Sequence, residues 1–227
     1  MNNNLDLYSK VEHLLGIDEA TKHLHELYVE TLYNYEIKTL LDLGCGRGDL
    51  MEKLEKFDIA CEGIDLSALM VQKAKSRGLK AEFKSICEVE KTYDAIVSAF
   101  DVLNFVSTQE LENFMQCVHN SLNDEGIFMF DINTLHGFAN VAEGTMSAEE
   151  AGMFLSVDAT FEENRLNTQF TLFEKEGELY KKEQSTIVQY FHPLKFFKNL
   201  KNFKVVQSRY LDLYDEKDKA FIVLKKA

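Results

Sequence analysis

The chain has 227 residues, 45% hydrophobic and 28% charged, enough for one well-cored domain with a small insert and ordinary for a soluble globular protein. Lys plus Arg total 25 against 38 Asp plus Glu; the resulting net charge of -13 repels phosphate backbones and makes nucleic acid a poor partner. No apolar run reaches the roughly 18 residues of a membrane-spanning helix, and Met1–Asp6 lacks the basic-then-apolar start of a secretory signal, so no membrane or export role is expected.

Leu7, Val11, Leu14 and Leu15 recur at helical spacing until Gly16-Ile17-Asp18 interrupts, and a second helix is predicted over Glu19–Tyr35. The rhythm changes at Thr39–Leu43, a short apolar strand running into Gly44-Cys45-Gly46-Arg47-Gly48 and then a helix to about Phe57. Ile59–Ile64 is the next strand. Ser67 caps a predicted helix that reaches Arg77, with Gly78 as its stop. Lys80–Ser85 and Tyr93–Ala99 are strands, Thr108–Leu122 is a helix, Asn123–Gly126 a turn, and Ile127–Ile132 a fifth strand. Apolar strands alternating with helices imply a parallel sheet covered on both faces, with its ligand crevice beyond the carboxyl ends of the strands.

After residue 135 the pattern departs. Residues 136–152 read as partly helical, and three antiparallel strands follow at Phe154–Phe161, Leu166–Glu174 and Glu178–Phe191. His192-Pro193 opens a short helix. Phe203–Leu211 and Ala220–Leu224 are the last strands, joined by a solvated loop at Asp212–Lys219. The expected organisation is an N-terminal helical lid (1–38), an α/β domain (39–135 and 192–227), and an antiparallel insert (136–191) that covers an acceptor site.

The cysteines Cys45, Cys61, Cys87 and Cys117 form no CxxC pair, so they read as small apolar fillers in a reducing compartment, and a cytoplasmic location is expected. His23 and His25 face different directions on a helix, His13, His119 and His136 are scattered, and neither G-x-S-x-G nor H-E-x-x-H occurs, so no metal site or hydrolase elbow is expected.

Chemistry concentrates in Leu41-Asp42-Leu43-Gly44-Cys45-Gly46-Arg47-Gly48. Glycines there let the backbone turn sharply and approach a ligand, and Asp42 ends the strand facing the crevice. Asp65 lies 23 residues beyond Asp42, at the end of the second strand, where a carboxylate can accept from both hydroxyls of a ribose. The dinucleotide fingerprint G-x-G-x-x-G is not completed, because its third position holds Asp49, an acid that opposes a pyrophosphate. A nicotinamide-dependent oxidoreductase is therefore disfavoured.

Leu40–Gly48 is similar to the first motif, D-x-G-x-G-x-G, of the class I S-adenosylmethionine-dependent methyltransferases. Asp65 matches that family's ribose-binding acid, and Tyr93–Phe105 and Gly126–Thr134 resemble its fourth and fifth strand motifs, in the manner of a bacterial small-molecule subset. The resemblance covers about residues 37–135 and the final two strands in outline. It implies an α/β fold: a Rossmann-like, mostly parallel seven-stranded sheet with helices on both faces, plus an antiparallel β insert. It implies S-adenosyl-L-methionine as cofactor, S-adenosyl-L-homocysteine as product, and a cofactor site of Asp42, Gly44, Cys45, Gly46, Gly48, Asp65, Leu66, Ile86, Cys87, Glu88, Ala99 and Phe100. Where the family carries an Asp for the adenine amine this chain has Cys87, followed by Glu88. Either Glu88 or a backbone carbonyl replaces it, or Leu66, Ile86 and Phe100 hold adenine by packing. On the acceptor side the strand ends carry Asp101, Asn104, Phe105, Asp131, Asn133 and His136, and the lid carries Tyr8; Tyr8, Asp131 and Asn133 are the catalytic candidates. The expected activity is methyl transfer to a small-molecule acceptor by a monomer or homodimer, with non-catalytic cofactor binding as the alternative.

Overall fold

A computed structural model describes residues 3–227, with side chains from Leu5 onward; Met1 and Asn2 of the expected lid lie outside it. The two N-terminal helices are α1 (Asn3–Val11) and α2 (Asp18–Leu32), separated by a short turn and by Gly16 at φ 67°. Then come β1 (Thr39–Leu43), α3 (Asp49–Glu55), β2 (Ala60–Asp65), α4 (Ala68–Ser76), β3 (Ala81–Phe83), β4 (Tyr93–Ser98), α5 (Leu111–Asn120) and β5 (Leu122–Asn133). The insert holds β6 (Gly144–Glu150), β7 (Met153–Glu162), β8 (Arg165–Glu176) and β9 (Leu179–Tyr190). The chain ends with α6 (Leu194–Lys198), β10 (Phe203–Leu211) and β11 (Lys219–Lys226).

The main sheet has seven strands in the order β10-β11-β5-β4-β1-β2-β3. β3, β2, β1, β4 and β5 run parallel, and β11 pairs antiparallel with β5 and β10. Alternate residues of the central strands feed two cores. Ile96, Phe128, Phe130, Ile222 and Leu224 meet α5 and α6 through Met115, Val118 and Phe197. Ala95, Val97, Met129, Phe221 and Val223 meet α2 and α3 through Leu24, Tyr28 and Leu54. Covering both faces explains why these strands read as apolar runs rather than as alternating ones. Strand order reverses between β1 and β4, which places the crevice beyond Leu43 and Ser98.

The insert differs from the expectation in one respect. Residues 137–142 form a single wide helical turn, but residues 144–150 form β6 instead of continuing it, so the second sheet has four strands, β6-β7-β8-β9. Its inner face, with Leu155, Val157, Phe170, Leu172 and Ile187, packs on Leu7, Val11 and Leu14. β6 is nearly all polar or small and largely exposed, so it lacks the alternation that marks a strand, and its pairing with β7 makes it one. Two further expectations are corrected. Asp218 and Lys219 at the end of the supposed solvated loop are both 1% exposed, and Cys87 and Cys117 form a disulfide, so only Cys45 and Cys61 are free fillers.

Candidate active site

A cavity of about 460 Å³ opens beyond the carboxyl ends of β1, β2 and β4 and is roofed by α1, α2 and the turn between them. The glycine loop forms its floor. Gly44 and Cys45 both donate their N–H groups to Ile64 O, at 2.8 and 3.0 Å, folding the loop onto β2. Gly44 sits at φ 79°, and a Cβ there would stand 2.5 Å from Val102 Cγ2. Gly46, at φ 54°, has open space where a side chain would point, so its backbone is left free to meet a ligand. Gly48 is absent from the lining; it begins α3 and packs against Leu79.

Two carboxylates face this floor. Asp65 accepts from Gly46 N (2.9 Å, Oδ2) and Ser67 N (2.7 Å, Oδ1). Burial raises its pKa while those N–H groups oppose the rise. Ser67 caps α4 as expected, accepting from Met70 N at 3.2 Å. Asp42 is 2% exposed. Burial, and then the charge of Asp65, push it up to about 7. No side chain or N–H among the described residues donates to its carboxylate. A buried carboxylate without a donor is costly, and a ligand ammonium relieves that cost.

The N-terminal helices and the turn between them add polar groups that sequence reasoning missed. Glu12 stands in the roof with Arg47 of the glycine loop at 3.5 Å and Lys73 of α4 at 3.9 Å. Its Oε1 is buried without a hydrogen bond, and burial raises its pKa against the pull of both cations. His25 also lines the cavity; burial lowers it to about 4, so it is neutral at pH 7. Asp49 is held low because its bonds to Arg47 and Arg77 outweigh its burial. Tyr8 lies in the roof, edge-on to Phe170 of the insert at 5.9 Å, and burial keeps its hydroxyl protonated. Lys73 Nζ donates to Ser9 O at 2.6 Å and ties α1 to α4.

At the far end the walls are Leu66, Ile86, Cys87, Ala99 and Phe100, all expected, together with Lys84, Ser85 and Asn113, which were not. Glu88 does not line the cavity; its carboxylate accepts from Ser85 N at 2.8 Å and caps its own turn. Cys87 does line it, but as half of the disulfide to α5.

Of the acceptor-side candidates, Tyr8 and Phe105 reach the cavity, whereas Asp131 and Asn133 do not line it. Asp131 is wholly buried and accepts from Tyr28 Oη (2.9 Å), Phe100 N (2.7 Å) and Asp101 N (3.1 Å). Asn133 N donates to Asn104 Oδ1 at 2.9 Å, and Asn104 Nδ2 donates to Tyr190 O at 2.8 Å, so this pair secures the exit of the insert. His136 is paired on the surface with Asp215 at 2.9 Å.

Known proteins share this fold. Residues 40–126 match the family model described as a methyltransferase domain. Over its whole length the chain superposes on an S-adenosylmethionine-dependent methyltransferase from Clostridium acetobutylicum ATCC 824, with a TM-score of 0.80, 20% identity and 98% of that chain covered. It also superposes on CalS10, an amino pentose methyltransferase of Micromonospora echinaspora solved with bound S-adenosylmethionine, with a TM-score of 0.71, 16% identity and 97% of each chain covered. In sequence it is 29% identical over 121 residues to YqeM of Bacillus subtilis (strain 168), named a methyltransferase provisionally; the match takes in 49% of either protein, so the chain spans about half the length of that curated relative. The chain therefore shares the fold of these methyltransferases, as the resemblance read from Leu40–Gly48 and the later motifs implies.

Proposed function

We propose that the chain binds S-adenosyl-L-methionine in this cavity and transfers its methyl group to a small-molecule acceptor. The observation that carries the reading is the buried Asp42 carboxylate beside the glycine loop, raised to about 7 and without a donor among the described residues. Such a floor suits a cationic ligand and opposes the pyrophosphate of a dinucleotide. When bound, the cofactor supplies a methyl group on a sulfonium cation. Asp42 would accept from its amino group and Asp65, with lone pairs left over from two N–H bonds, from its ribose hydroxyls. Leu66, Ile86 and Phe100 would hold adenine by packing, since Cys87 and Glu88 are otherwise engaged. The lid would exclude water, and orientation by the cavity walls would supply most of the rate. Tyr8 would face the acceptor; Asn133 and Asp131 would shape that side through Asn104 and Phe100.

An amine-bearing or neutral acceptor is favoured because the cavity already carries Glu12, Asp42 and Asp65; the resemblance to the amino pentose enzyme CalS10 agrees with this. A monomer or homodimer in the cytoplasm completes the proposal, the disulfide then being reducible there. Binding without turnover is the second reading, favoured by a buried, fully engaged Asp131 and a Tyr8 whose hydroxyl stays protonated. Calorimetric titration with S-adenosylmethionine, S-adenosylhomocysteine and NAD tests the cofactor, with Asp65→Ala alongside. Micromolar binding of the first two, lost in the variant, supports the reading, and labelled-methyl transfer to amines then separates enzyme from binder. NAD binding alone overturns it.

A further inference from the structure

Beneath the cavity wall lies a charged cluster of which the proposed function uses only Asp131. Lys219, the first residue of β11, is 1% exposed. Its Nζ stands 3.3 Å from Asp131 Oδ2, contacts the Asp101 carboxylate, and lies 5.1 Å from the centre of the Phe100 ring. Phe100 and Asp101 form the corner that leaves β4. Both have left-handed backbones, at φ 67° and 60°, which non-glycine residues adopt only when held there. Asp131 holds them, accepting from Phe100 N at Oδ1 and from Asp101 N at Oδ2, and Tyr28 Oη donates to the same Oδ1. Phe100 lines the cavity; Asp101, Asp131 and Lys219 do not.

The chemistry of the cluster is asymmetric. Two buried carboxylates share one cation, and a buried charge left without its partner is strongly destabilising. Asp131 can serve as the anchor of the corner only while Lys219 balances it and Asp101. A residue on the last strand thus reaches across β5 to the corner after β4, far earlier in the chain.

We propose that Lys219 is a positioning residue for the donor cavity, its ammonium bridging Asp101 and Asp131 so that the Phe100 ring stays in the cavity wall. This rests on the cofactor reading above. The groups facing the ammonium are Asp101 from the corner and Asp131 from β5; Tyr28 of α2 reaches it through Asp131, and Asp218 and Tyr214 of the β10–β11 loop act on Asp131 and on each other. Burial lowers Lys219 to about 7. Burial raises Asp131 in the same range, disfavouring the charge on both partners, so pH alone does not switch the bridge.

The test is titration of the full chain with S-adenosylhomocysteine, for wild type and Lys219→Met, at about pH 7. The expected result is about tenfold weaker binding by the variant. Equal affinity overturns the proposal. A wild type that binds no ligand fails the cofactor reading instead, and a second measurement still tests the corner. The chain has no tryptophan, so Phe100→Trp creates a single reporter there. Its emission should shift to the red when Lys219→Met is added, or when the charge-matched pair Lys219→Met and Asp101→Asn is added should the single variant not fold. Unchanged emission overturns the proposal whether or not ligand binds.

Discussion

Replacing Asp42 by asparagine should make the ligand-free protein more stable at pH 8. Asp42 is 2% exposed, and its ordinary value of 3.8 is raised to about 7, first by burial and then by Asp65. That rise corresponds to about 4 kcal/mol. Because the native state binds this proton more tightly than the unfolded chain, stability falls as pH rises from about 4 to about 7 and the full deficit persists above. The asparagine side chain has no proton to lose, so the Asp42→Asn variant should gain up to about 4 kcal/mol at pH 8 and little at pH 4.5, with solvent in the open cavity reducing the figure. For a chain of this size the gain raises Tm by on the order of 10 °C. Asp131 titrates in the same direction in both proteins and cancels in the comparison. Differential scanning calorimetry at the two pH values measures the effect, and titration with S-adenosylmethionine should show that the stabilised variant binds the cation at least about tenfold more weakly. The reasoning is refuted if the Tm difference between wild type and Asp42→Asn is the same at both pH values, or if the variant is less stable at pH 8.

Three further outcomes are expected. Asp65→Asn keeps the size but cannot accept at both oxygens from Gly46 N and Ser67 N; it should lose about 1–3 kcal/mol of stability by urea unfolding, along with most cofactor affinity. Reduction of the Cys87–Cys117 bridge, which closes a 30-residue separation between the Ile86–Glu88 turn and α5, should lower stability by roughly 3 kcal/mol. It should also weaken binding at the adenine end, seen by comparing titrations with and without a dithiol; Cys117→Ser should reproduce both effects and be insensitive to reductant. Gly137→Ala would set a Cβ 2.1 Å from Asp218 O, whose hydrogen bond from Thr134 N holds the β10–β11 loop; backbone must move, and a loss of about 1–3 kcal/mol in thermal unfolding is expected.

The order of elements and the donor motif were legible in the sequence because both are local. Thr39–Leu43, Tyr93–Ser98 and Ile127–Ile132 are apolar runs of strand length, and the glycines after β1 occupy left-handed positions that few other residues tolerate. Asp42, Asp65 and the Ser67 cap follow from strand ends and helix starts, which carry their own signatures. Local pattern could not reveal what pairs across the chain. β6 has no strand alternation and exists because β7 lies beside it. Cys87 and Cys117 read as fillers until α5 brings them together. Glu12 and His25 meet the glycine loop or the cavity only because the N-terminal helices fold back over it. Lys219 read as the end of a solvated loop, and Asp131 as an acceptor-side group. Sheet order instead sets β11 beside β5, and burial then forces the one cation against Asp101 and Asp131. Sequence alone determined the class of fold and the acids of its first motif, since backbone preference and hydrophobic period act over a few residues. Tertiary structure decided which charges are buried together, because desolvation and pairing depend on neighbours in space.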